Sequence, residues 1–115
     1  MKRNTAQLKE QLIQTGIDEI GKHGIEQLSL RTVAKACGVT HGSPYRHFES
    51  KEGYLKVVLT QLSLFLNQEI NENIDATGSA RDQLTRLGLN FIIFAKTYPH
   101  FFEALFIKFP FKYMK

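Results

Sequence analysis

Tryptophan is absent from this 115-residue chain, and cysteine occurs once, at Cys37. A single thiol excludes an internal disulfide and a thiolate-built zinc site. Proline is scarce, with three copies, and the eight glycines are scattered singly, so no stretch reads as a linker or a low-complexity tract. Long apolar runs are missing as well. Lys96, Glu103 and Lys108 interrupt the most apolar region, and no segment is expected to span a bilayer. Met1 to Lys9 is polar and basic with no apolar core behind it, unlike a secretory signal. A reducing cytoplasm is the expected location. The four histidines, at 23, 41, 47 and 100, lack metal-ligand spacing, and no glycine-rich loop could cradle a phosphate. No metal, no cofactor and no membrane association are expected.

What is present is a globular composition, 43% apolar, with nine phenylalanines. The net charge of +4 and a pI near 9.3 suit an anionic partner, though only mildly. Each half of the chain carries +2, so charge alone singles out neither as a binding half.

The apolar periodicity is helical throughout. Leu8, Leu12, Ile13, Ile17 and Ile20 recur at helical spacing from about residue 4 to His23, and Gly24 sits where a helix commonly ends with positive φ. His23 reads as a last-turn cation favoured by the helix dipole. Ser29 can cap a short second helix whose Leu30, Val33 and Ala34 face inward and which Gly38 ends. Thr40 is the expected cap of a third helix reaching His47 or Phe48. Ser50 can cap a long fourth helix with the stripe Leu55, Val58, Leu59, Leu62, Leu66 and Ile70. After a break at residues 75–79, Ser79 and Asp82 resemble a capping box opening a fifth helix, with Leu84, Leu87, Phe91, Phe94 and Tyr98 as its apolar face. Pro99 fits the first turn of a sixth, bearing Phe101, Phe102, Leu105 and Phe106, and Pro110 opposes continuation.

Two short helices joined at Gly38 can be a helical hairpin inside a bundle or a helix-turn-helix. Small and polar residues open the second of them, at Thr40, His41, Gly42 and Ser43, as a base-reading helix start requires. Tyr45, Arg46, His47 and Lys51 follow closely and are good donors to phosphate oxygen, with Phe48 the core anchor among them. This favours the DNA-binding reading.

The run from Leu28 to Glu52 resembles the signature of the TetR family of bacterial transcription regulators: Gly38-Val39, then Thr40-x-Gly42, Tyr45-x-His47-Phe48 and Ser50-Lys51-Glu52. The resemblance implies an all-α fold: a three-helix, homeodomain-like helix-turn-helix head on residues 1–48, then a connecting helix and part of a helical ligand-binding and dimerisation domain on residues 49–115. It implies base reading by Thr40, His41, Gly42 and Ser43, and phosphate contacts from Arg31, Thr32, Tyr45, Arg46, His47 and Lys51. Pro44 departs from the family's usual aliphatic residue. Proline disfavours helical geometry at Ser43, so it can shift where the third helix begins. Lys2 and Arg3 read equally as a basic arm or a solvated terminus.

The aromatic region 91–106, with Tyr98-Pro99-His100-Phe101-Phe102, resembles a C-terminal domain type of the same family. It implies an effector pocket drawn from Phe65, Phe91, Phe94, Tyr98 and Phe102, although aromatics at helical spacing are more commonly core. The implied partners are a duplex operator, a small hydrophobic effector and a second copy of the chain. Family members are much longer, so the regulatory domain is expected to be incomplete, with Phe109, Phe111 and Tyr113 needing cover. The expected function is a ligand-responsive repressor reading a palindrome as a dimer. Two rivals stand beside it. One is a helical protein-interaction module without specific DNA binding. The other is a thiol enzyme using Cys37 and His41, which lacks a third group to orient the imidazole; no enzymatic activity is expected.

Overall fold

A computed structural model of the chain describes residues 4–108; Pro110 and the aromatic tail from Phe109 lie outside the described residues. It contains helices α1 (Thr5–His23), α2 (Leu30–Ala36), α3 (Ser43–Phe48), α4 (Lys51–Ile70), α5 (Ala80–Thr97) and α6 (Pro99–Glu103). A 3₁₀ turn, Ile25–Gln27, joins α1 to α2, and a wider π-type turn, Ala104–Lys108, follows α6. No strand occurs among the described residues.

Local chemistry explains most boundaries. The Asn4 side chain accepts the Gln7 amide at 2.7 Å while the Gln7 side chain accepts the Asn4 amide at 3.0 Å, a reciprocal cap on α1. Gly24, at φ 88°, ends that helix. Ser29 accepts the Thr32 amide, Ser50 the Gly53 amide and Ser79 the Asp82 amide, each at 3.0–3.1 Å, so the three expected serine caps open α2, α4 and α5. Gly38 turns the chain at φ 72°, and the Val39 amide then donates to the Ala34 carbonyl at 3.0 Å. In the α4–α5 turn, the Thr77 hydroxyl and then its amide donate to the Asp75 carboxylate, holding it below its ordinary pKa.

Two expectations are corrected. Thr40 does not cap α3. That helix starts three residues later, with Pro44 in its first turn, and residues 40–43 form a separate turn closed by the Ser43 amide on the Thr40 carbonyl at 3.0 Å. The fixed φ of proline suits a first turn, and its effect on the preceding residue opposes an earlier start. The apolar face of α5 is also narrower than its periodicity predicts. Leu84 is 69% exposed, and the residues buried on α5 are Asn90 and Phe94. The neighbouring α4 and α6 cover only that side.

The main core is built from Leu12, Ile13 and Ile20 of α1, Leu30 and Val33 of α2, Phe48 of α3, and Tyr54, Leu55, Val58, Leu59 and Leu62 of α4. It runs on without a gap to Ala104, with Phe101 and Leu105 packed against it. The first four helices therefore share one interior with the α6 segment. At the far end of α4, the buried Asn90 amide donates to the carbonyls of Ile70 and Glu72 at 2.9 and 2.8 Å, occupying acceptors that a helix end leaves open.

Candidate nucleic-acid interface

The helix-turn-helix is held from below by close approach of α1, α3 and α4. Tyr54 is fully buried, and its hydroxyl donates to the Leu12 carbonyl at 2.6 Å. Its ring meets Phe48 edge-on at 5.1 Å, tying the end of α3 to α4. Burial pushes the phenol well above its ordinary pKa, Cys37 adds to this, and the Gly16 backbone offsets part of it. The neutral hydroxyl is thus kept as a donor. Gly16 makes room for it: a Cβ there would collide with the Tyr54 hydroxyl. A Cβ on Gly53 would collide with the Phe48 carbonyl. The chain passes from α3 to α4 through Glu49, at φ 67°, whose amide donates to the Tyr45 carbonyl at 2.8 Å.

On this support the outer surface is polar. Arg31, Thr32, Thr40, His41, Arg46 and Lys51 are exposed, Gly42 and His47 half-buried. Tyr45 is 47% exposed, an aromatic ring left facing solvent on a helix whose Pro44 and Phe48 are buried. Thr40, His41 and Gly42 lie in the turn ahead of α3, not on it. Ser43 is 7% exposed and turned toward α1. Lys51 opens α4 just behind the Ser50 cap. The Thr32 hydroxyl is tied to Ser29 at 2.8 Å at the start of α2.

Cys37 and His41 do not form a common site. The thiol is buried, 3.3 Å from the Thr15 hydroxyl and donating to the Gln11 carbonyl at 3.7 Å, while His41 is exposed. Among the described residues no group of three His, Cys, Asp or Glu could hold a metal ion, and no helix is long and apolar enough to cross a membrane.

The five expected effector-pocket residues fall into two ring clusters. Phe65, Phe94 and Tyr98 pack together with Phe101, at centroid distances of 5.1–6.2 Å. Phe91 and Phe102 instead meet Phe106, at 6.0 and 4.9 Å. In the first cluster the rings fill one another's space. Beside it, where α5 faces the end of α4, lies an open groove of about 380 Å³ lined by Glu69, Glu72, Arg86, Asn90, Phe94 and Tyr98 among others.

Sequence reasoning passed over Tyr54, Gly16 and Asn90. Gly16 carried a usable signal, because a glycine inside a helix costs about 1 kcal/mol relative to alanine and tends to mark close approach. Tyr54 and Asn90 carried none, since each acts on carbonyls 42 and 18–20 residues away in the chain.

Comparison with known proteins agrees with this architecture. Residues 12–58 match the model of the tetR family of bacterial regulatory proteins. The chain is 36% identical over 50 residues to the “Probable acrEF/envCD operon repressor” of Escherichia coli K12, a stretch covering 44% of this chain and 23% of that protein. It is 28% identical over 82 residues to the HTH-type transcriptional repressor KstR2 of Mycolicibacterium smegmatis, covering 71% of this chain and 40% of the relative. The matched stretches thus span less than half of these relatives. A crystal structure of a TetR-family transcriptional regulator from Haemophilus influenzae superposes with a TM-score of 0.63 over 90% of this chain and 57% of that one, at 21% identity, a likeness of fold. Residues 12–58, which hold the helix-turn-helix, are thus a unit of the TetR-family type.

Proposed function

We propose that this chain binds duplex DNA sequence-specifically and regulates transcription, as a repressor whose grip on a palindromic operator is relieved by a small hydrophobic effector. The observation that carries the reading is the polar face of the helix-turn-helix, where Tyr45, Arg46 and Lys51 stand exposed above a core that fixes α3 against α4. In this reading α1–α3 are a homeodomain-like head on residues 1–48, and residues 49–115 begin a regulatory domain. Thr40, His41 and Gly42 approach base edges from the turn ahead of α3. Arg31, Thr32, Tyr45, Arg46, His47 and Lys51 grip phosphates, fixing register without reading sequence. The named repressors among the relatives support repression over activation.

A homodimer is the natural form for reading a palindrome, because two recognition elements must meet half-sites about 34 Å apart. The exposed Leu84, Leu89, Ile92 and Ile93 on α5 support such an interface, since grouped apolar side chains mark association surfaces. The effector site belongs to the α4–α6 aromatic region, and a cytoplasmic location follows from the DNA partner.

Selection of duplexes from a random pool, followed by salt titration, tests the reading. A palindromic consensus with a steep salt dependence is expected. Binding without sequence preference would sink specific recognition and favour a plain helical interaction module. Lys51→Ala should weaken all duplexes alike and flatten the salt slope by about one unit. A changed consensus would reassign that lysine.

A further inference from the structure

A groove of about 480 Å³ separates the start of α1 from α3, lined by Asn4, Thr5, Leu8, Ser43, Arg46 and His47. We infer that this groove seats a backbone phosphodiester of the DNA duplex, making the N-terminus of α1 a phosphate contact and turning Ser43 from a base-facing residue into a phosphate ligand. The inference rests on the DNA-binding reading above and goes beyond it, because that reading gives α1 no part in contact.

Three independent features point to an anion. The first is composition: the lining holds an arginine, an imidazole and two hydroxyls, and no carboxylate. Lys9 adds a cation on the same α1–α3 seam, its ammonium 5.7 Å from the Phe48 ring centre. The second is the helix start. The Asn4 carbonyl takes its first internal bond from Leu8, at 3.0 Å, so the amides of Thr5 and Ala6 precede the helix ladder and lie at its positive end. α1 is 19 residues long.

The third is Ser43. It is 7% exposed, yet its hydroxyl makes none of the side-chain hydrogen bonds among the described residues, while its amide donates to the Thr40 carbonyl. Every fully buried side-chain nitrogen or oxygen among those residues does have a partner. The Ser43 hydroxyl must therefore open onto the groove it lines. A confined hydroxyl without a protein partner, beside a guanidinium and an imidazole, is a donor awaiting an acceptor. Phosphate oxygens, which accept several hydrogen bonds at once, match that donor set.

The test uses the full chain and two variants, Thr5→Glu and Ser43→Ala, titrated with selected and scrambled duplexes. Glutamate in a first turn favours a helix, and alanine replaces a hydroxyl that bonds nothing in the protein, so both variants should melt with the unaltered chain. Thr5→Glu is expected to weaken every duplex about tenfold and Ser43→Ala about threefold, with the preferred sequence unchanged. Unaltered affinity in Thr5→Glu, while the parent chain binds duplex, would overturn the groove and leave the DNA reading standing. A changed consensus in Ser43→Ala would return that residue to base reading and overturn its role here. Failure of the parent chain to bind any duplex at low salt would overturn both proposals together. Inorganic phosphate, followed by amide NMR shifts at Thr5 and Ser43, distinguishes a free-phosphate site. Shifts there with duplex affinity intact in Thr5→Glu would assign the groove to the free ion and overturn the phosphodiester.

Discussion

The two ends of α4 face opposite situations. At its start, Tyr54, Leu55, Val58 and Leu59 are enclosed by α1, α2 and α3, and what remains outside is polar: Arg31, Lys35, His41, Arg46 and Lys51. At its far end, α5 buries Asn90 and Phe94 and leaves Leu84, Leu89, Ile92 and Ile93 at 45–69% exposure. The head is thus closed on itself and displays charge. The α5 region is half covered and displays hydrocarbon. A closed core gives a rigid platform for a polar ligand, whereas an apolar face in water gains by meeting another surface.

Substitutions can break this contrast. Tyr54→Ala removes the ring that joins α1, α3 and α4, and a loss of about 3–5 kcal/mol is expected in denaturant unfolding. Tyr54→Phe keeps the ring and loses only the bond to Leu12, for about 1 kcal/mol. If the two variants were equally damaged, the hydroxyl and not the packing would be the tie. Asn90→Ala tests the other end. Two carbonyls at the α4 terminus lose their donor, and a cost of about 1–3 kcal/mol should appear with little change in DNA affinity. Ile92→Ser should change unfolding free energy by less than about 0.5 kcal/mol, because the side chain is already 56% exposed. Its readout is sedimentation: a shift toward monomer is expected, and a large stability loss without that shift would mean the face is covered from within.

Helix existence was legible in local chemistry. The serine caps at 29, 50 and 79 and the glycine stops at 24 and 38 act within a few residues, so they could be read directly from the chain. The start of α3 was legible only in part. Thr40 looked like a cap, but Pro44 sets φ at its own position and constrains Ser43, and the helix waits for it. The apolar face of α5 misled for another reason. Periodicity reports which side of a helix would be buried, not whether a neighbour is there to bury it. The same limit divided the expected effector residues, because Phe91 and Phe94 are three apart on one helix yet meet different partners.

The sequence by itself determined the helical class, the turn at Gly38, the caps and the family signature from Leu28 to Glu52. All of these depend on interactions spanning at most a couple of turns, or on residue types a family keeps in order. Only the tertiary structure decided that Ser43 faces α1, that Gly16 and Gly53 are spaces held open for Tyr54 and the Phe48 carbonyl, and that Asn90 closes the end of α4. Each of these brings together groups set by how helices pack, and packing turns on volume and hydrogen-bond geometry between distant segments, which a linear pattern does not carry.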